Sequence, residues 1–231
     1  MSTFFSDVLD KFLSPAFLEK VRIKFHYGET QVSEFQAVAE EMLPLMREEA
    51  FWERKEFVVK SQHLIDNIDA TYESVVMSLG SGVDCLQEKY SEKGMLSQSY
   101  MIEVLSSEIL MQGYDAYNRY IRENTDWHVA RYHFWGSEEE FPLEMLPQLL
   151  NEFALKVACN SAFCMIPKKS VAFISELTQD ESVKCEGVCA GCNNLHCPNR
   201  MTDDHTAKKR MTEMTDMPLT YGYSRIFGRI R

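Results

Sequence analysis

The stretch "MLSQSYMIEVLSSEILMQGYDAYNRYI", residues 95–121, constrains the fold more than any other part of the chain. Leu96, Tyr100 and Val104 share a face with Met101 and Leu105, and Leu110, Tyr114, Tyr117 and Ile121 extend it. A recurrence every three or four residues predicts a helix with one apolar stripe. A stripe that long has to be buried against another layer. Residues 56–62, "EFVVKSQ", and 73–79, "ESVVMSL", are β-rich and read as strands, and 128–136, "HVARYHFWG", reads as an aromatic one. Gly80 and Gly82 mark a strand–helix junction, from which "GSGVDC" opens a short helix.

The flanks repeat the mixture. Phe5 to Leu18 is apolar at mixed helical spacing and is interrupted at Pro15. After a break at Gly28, Val32, Phe35, Val38, Met42 and Met46 form an amphipathic stripe, with Ser33 and Gln36 at capping-box spacing. Residues 142–158, "PLEMLPQLLNEFALKVA", predict a helix buried through Leu143, Leu146, Leu150, Phe153 and Val157. Pro147 must lie in its first turn or kink it. "AFCMIPKKSVAFISEL" predicts two short strands around Pro167. Helices and strands alternate irregularly, which predicts an α+β fold rather than a doubly wound sheet.

Composition narrows the function classes. Fourteen Phe, ten Tyr and three Trp supply a sizeable core. A net charge of −11 repels phosphate backbones and argues against nucleic acid as a partner. The segment from Arg200 to Arg231 reverses the sign, with seven Lys and Arg against four Asp and Glu. No apolar run approaches a membrane span, so no membrane partner is expected. The opening "MSTFFSDVLDKFLSPAFL" lacks the basic start and unbroken apolar core of a signal peptide. The expectation is a cytoplasmic protein whose thiols stay reduced. Phosphate-loop, zinc-protease and nucleophile-elbow motifs are absent.

Four of the seven cysteines fall within 13 residues, in "CEGVCAGCNNLHC". Cys185, Cys189, Cys192 and Cys197 are spaced like ligands of a tetrahedral zinc or an iron–sulfur cluster, and Gly187 and Gly191 allow the tight bends. A reversible disulfide, or a cysteine-rich tail without metal, is also open on spacing alone. The first three cysteines match the short radical S-adenosylmethionine signature. Only 34 residues follow Cys197, too few for the barrel of about 200 residues that this chemistry needs. Cys85, Cys159 and Cys164 lie in apolar segments and read as small core residues.

Three segments together resemble the activation domain of cobalamin-dependent methionine synthase, in a stand-alone version. "VVMSLGSGVDCLQEKYSEKGMLSQSYMIEVLSSEIL" is similar to that family's strand, glycine turn, helix, "KG" break and long helix. "FPLEMLPQLLNEFALKVACNSAFCMIPKKSV" is similar to its proline-led helix and Met-x-Pro-x-x-Ser-Val hairpin, carried here by Met165, Pro167, Ser170 and Val171. The cysteine run closing in Arg200 looks like the ending of short versions of the domain. The resemblance implies a C-shaped α+β domain around a twisted antiparallel sheet with flanking helices. It places an activation-domain-like part at residues 1–183, strongest over 70–183, and a cysteine-rich segment with a basic tail at 184–231.

The resemblance also implies a function. Such domains bind S-adenosylmethionine in a shallow surface site and support reductive methylation of a cobalamin held by a corrinoid-binding partner module, with a separate electron donor. The chain would be a component of that methyltransferase chemistry rather than a complete enzyme. In the family the ligand lies around an Arg-x-x-Pro-x-Gly-Tyr-like segment, and here that place reads "ARYHFWGSEEEFP". Arg131 matches and would pair with the ligand's carboxylate. Phe134, Trp135 and Gly136 stand where the family has Pro and Gly-Tyr, and two extra residues precede Phe141 and Pro142. Tyr132 or Trp135 would stack on adenine or face the sulfonium, with Gly136 beside them. Glu138, Glu139 and Glu140 offer negative charge, and Glu103 or Glu108 is the candidate acid from the long helix. Read from the residues alone, the aromatics equally suit a core and the glutamates a solvated turn. The rival reading is a metal-binding or iron–sulfur redox or scaffold protein that kept the fold and lost S-adenosylmethionine.

Overall fold

The structure is a computed structural model that describes residues 3–57, 71–153, 157–185 and 187–189. The chain has two compact units, Met1–Asn193 and Asn194–Arg231, and every described residue belongs to the first.

The unit is α+β, built on a four-stranded antiparallel sheet. Helices α1 (Thr3–Asp10) and α2 (Pro15–Lys24) come first. Pro15 occupies the first turn of α2, where a missing N–H costs nothing, and Ser14 Oγ accepts the Phe17 N–H at 3.3 Å. Helix α3 (Val32–Glu49) buries Phe35, Val38, Ala39, Met42 and Met46, the expected stripe apart from exposed Val32. Ser33 is not its cap, because the helix already begins at Val32. The preceding turn is held instead by the Gly28 N–H donating to Gln31 Oε1 at 3.2 Å.

Strand β1 is Phe51–Glu56, and residues 58–62 of the expected 56–62 strand lie outside the described residues. Strand β2 (Thr71–Ser78) pairs with it from Phe51 opposite Ser78 to Glu56 opposite Glu73. Helix α4 (Ser81–Glu92) and helix α5 (Leu96–Asn124) follow, then strand β3 (His128–Phe134). Helix α6 (Leu146–Glu152) is shorter than the expected 142–158 helix. Pro147 does lie in its first turn, but the chain is extended again at Phe153. Strands β4 (Ala158–Cys159) and β5 (Met165–Ile166) form a small hairpin. Strand β6 (Ser170–Thr178) is long where a short strand was expected, and it lies between β2 and β3 in the order β1-β2-β6-β3.

Strand periodicity divides the core between the two faces of the sheet. Val75, Met77, Val129, Tyr132, Phe173 and Leu177 point to the face covered by α1, α3 and α5. Val76 and Ala172 point to the other face, under Leu146, Leu149 and Leu150 of α6, and Tyr72 and Ile174 lie under Phe141. Gly113 lets α5 rest on β2, since a Cβ there would come within 3.0 Å of Met77 Sδ. Of the three cysteines read as core, Cys85 and Cys164 are exposed instead, and half-buried Cys159 packs against the core under α6. Among the described residues, no helix is long and apolar enough to cross a membrane.

Candidate functional site

The strand–glycine–helix segment and the Pro167 hairpin are 80–90 residues apart in sequence, yet they meet. Gly80 turns the chain from β2 into α4 at φ +89°, a left-handed conformation that favours glycine, and a Cβ there would approach Glu49 Cβ to 2.3 Å. Glu49 Oε2 accepts the Gly82 N–H at 2.9 Å and the Ser81 hydroxyl at 3.0 Å, placing a carboxylate at the positive end of α4. One turn later, buried Asp84 accepts the Lys168 N–H at 2.6 Å. Ser170 donates to Ser78 at 2.8 Å, and the Leu79 N–H donates to the Lys169 carbonyl at 2.9 Å. Lys169 is buried and ion-paired with Glu103, which also accepts from Gln87 at 3.1 Å. The Met-x-Pro-x-x-Ser-Val hairpin is thereby held by side chains from β2, α4 and α5. Glu103 serves this junction.

The five residues expected around a ligand do not form one cradle. Arg131 is half-buried on β3, opposite Glu176 of β6, just after a bulge between Val129 and Arg131. It lies on the sheet face away from α5, where its charge reaches Tyr72. Burial and the Glu176 carboxylate push the Tyr72 phenol up to about 12, with Arg131 pulling against them. Trp135 is on that face too, its ring edge-on to Phe57 at 6.2 Å and Phe141 at 5.8 Å. Gly136 turns the chain at φ +78°, and its N–H donates to the Phe141 carbonyl at 2.7 Å. Tyr132 points the opposite way. It is 2 % exposed, edge-on to Tyr114 and Phe173, and its hydroxyl donates to the Tyr114 carbonyl at 3.3 Å. Glu108 is on α5, 4 % exposed, clamped by Lys20 at 2.9 Å and Lys24 at 2.7 Å. Burial raises its pKa, but the two lysine hydrogen bonds outweigh that and hold the carboxyl below its usual range. It ties α2 to α5 rather than facing Arg131.

Sequence reasoning missed a buried histidine held between two carboxylates, His133. It is 1 % exposed, with Nδ1 2.9 Å from Glu138 and Nε2 3.2 Å from Glu176. Burial lowers its pKa, yet the hydrogen bonds to Glu176 and Glu138 reverse this and hold it above the ordinary histidine value. The Glu138 end pins the Gly136–Phe141 turn to the sheet, so Glu138 is committed to His133. The available signal was strand alternation: Tyr132 inward puts His133 outward. Glu176 could be placed only by the β3–β6 pairing.

Of the four clustered cysteines, Cys185 and Cys189 are described, and both are half-buried. Cys192 and Cys197 lie outside the described residues. Gly187, at φ +77°, supplies the tight bend between the described pair. The Val183 carbonyl lies 3.0 Å from His128 Nε2, and Cys185 and Val188 pack on the main core. Cys185 also contributes, after burial, to pushing the Tyr132 phenol upward. Among the described residues, no three His, Cys, Asp or Glu side chains converge as a metal site.

Comparison with known proteins adds nothing to this geometry: no family model matches the chain, and no curated protein matches it.

Proposed function

We propose that this protein is a stand-alone relative of the methionine synthase activation domain, binding S-adenosylmethionine and working with a separate corrinoid protein and electron donor in the cytoplasm. The supporting observation is the junction just described, in which the first resembled segment, through Ser78, Gly80 and Asp84, holds Lys168–Ser170 of the second. The C-shaped outline and the cysteine-rich terminal segment are part of this proposal. In such chemistry S-adenosylmethionine supplies the methyl group and the partner's corrinoid receives it. This chain's task is to bind and orient the donor.

Arg131 is the anchor in this reading. Its guanidinium lies on edge strand β3 and would take the ligand's carboxylate, with Trp135 and Gly136 on the same side. Tyr132 and Glu108 have no part in it. Isothermal titration with S-adenosylmethionine tests the proposal. Saturable binding that weakens about tenfold or more in Arg131→Ala is expected from a lost charge-assisted pair. Absence of heat at millimolar ligand ends the reading.

The second reading is a metal-bearing redox or scaffold role, favoured by the Cys185–Cys189 turn seated on the core beside Tyr132. Zinc would enclose such a turn structurally, and an iron–sulfur cluster would let it carry electrons. Metal analysis and a visible spectrum of anaerobically purified protein separate the two metals. A metal-free, colourless protein removes this reading.

A further inference from the structure

A cleft of about 340 Å³ opens between α1, α2 and the C-terminal half of α5. That volume is in the range of small-molecule sites, roughly 300–1,000 Å³. Asp7 reaches it from α1, Lys11 from the turn after it, and Asp115, Arg119 and Glu123 from α5. None of these five forms an ion pair or hydrogen bond with another described side chain. Neighbouring charges on the same elements are paired: Lys20 and Lys24 hold Glu108, and Arg47 holds Asp10. Asp115 and Arg119 are four residues apart on one helix, a spacing at which opposite charges ordinarily close on each other. Here both line the cleft instead.

We propose that this cleft binds a small zwitterion of the α-amino-acid type, its cationic end at Asp115 and its carboxylate at Arg119. The distribution of charge selects that class. A purely anionic ligand meets Asp7, Asp115 and Glu123, and a purely cationic one meets Lys11 and Arg119. A molecule carrying both signs satisfies both sets, replacing the pairings the side chains do not make among themselves. Partial desolvation pushes the exposed Asp115 carboxyl upward, and Lys20 and Arg119 only partly oppose this. An incoming cation relieves that carboxylate, whereas the Lys20 amine is already committed to Glu108. Ammonium and sulfonium groups both fit the description.

The site is independent of Arg131, which lies on the far face of the sheet, so the two binding proposals stand or fall separately. The test is calorimetric titration of the full chain with L-methionine, L-lysine and S-adenosylmethionine, with butylamine and propionate as single-charge controls. At least one zwitterion should bind saturably and about tenfold tighter than either control, as expected for one added charge-assisted contact. Asp115→Asn and Arg119→Gln should each weaken it by a similar factor, and Lys93→Gln, at an exposed position just past α4, should leave it unchanged. Both cleft positions are exposed, and thermal melts establish that the variants fold. The cleft proposal is overturned if no zwitterion saturates, if a single-charge control binds as well, or if both cleft variants bind like the parent. S-adenosylmethionine binding that depends on Arg131 alone, with no other zwitterion bound, also overturns it and leaves the Arg131 reading intact.

Discussion

His133 shows how one side chain fixes a loop. The ring is out of water, so its charged form depends on the two carboxylates, with Arg131 and Tyr72 on the same face. Its pKa is raised by folding, so its stabilisation is full below the unfolded value of about 6.5 and fades as pH rises through the folded one. His133→Gln keeps a hydrogen-bonding side chain but removes the charge that the ring can share with Glu138 and Glu176. We expect a loss on the order of 3–5 kcal/mol at pH 6, the range for removing one partner of a buried ion pair. The gap in melting temperature between parent and variant should narrow steadily from pH 6 to pH 9. A constant gap across that range would mean that the histidine acts only by its shape.

Among the elements, the hairpin after Pro167 depends on Asp84 most directly. Its carboxylate accepts a backbone N–H from another part of the chain, a charge-assisted bond that is nearly buried. Asp84→Ala should cost about 1.5–3 kcal/mol in urea unfolding, as for removal of a hydrogen bond to a charged group. The Lys168 amide should also lose its protection from hydrogen exchange, while amides in the middle of α5 keep theirs. Equal loss at both places would make the effect global rather than local. The same elements show what the sequence could reveal. The stripe of α5 and the run of β2 were legible because packing follows local periodicity there. Strand β1 was not, because "FWERKE" reads as charged. Its Arg54 pairs with Glu73 across the sheet and lies over the Tyr120 ring, and Trp52 packs edge-on to Tyr117 and Tyr120 of α5. Helix α6 stops at Glu152 with Phe153 extended, yet Phe153 and Val157 join the same core, which mimics helical spacing. Tyr132 and Trp135 were read as one aromatic site because sequence proximity hides the fact that they occupy opposite faces of a strand.

For the whole molecule, the open question is whether the cysteine turn is a passive edge of the core or a ligand set coupled to it. Cys185 and Val188 pack on the same core as α5 and β3, so anything that orders this turn also stabilises that core. A metal that binds the folded form and not the unfolded chain raises stability by an amount set by its concentration relative to its dissociation constant. At a hundredfold excess this is about 2.7 kcal/mol, or roughly 5–11 °C in melting temperature for a chain of this size. Reduced, chelator-treated protein should therefore melt several degrees higher once zinc or reconstituted iron and sulfide is supplied. Cys185→Ser should abolish that rise, whereas Cys85→Ser, at an exposed cysteine on α4, should retain it. A rise that survives Cys185→Ser would place the metal elsewhere. No rise with either metal would leave the turn as packing alone, and the electron for the proposed methyl transfer would then have to come entirely from the partner side.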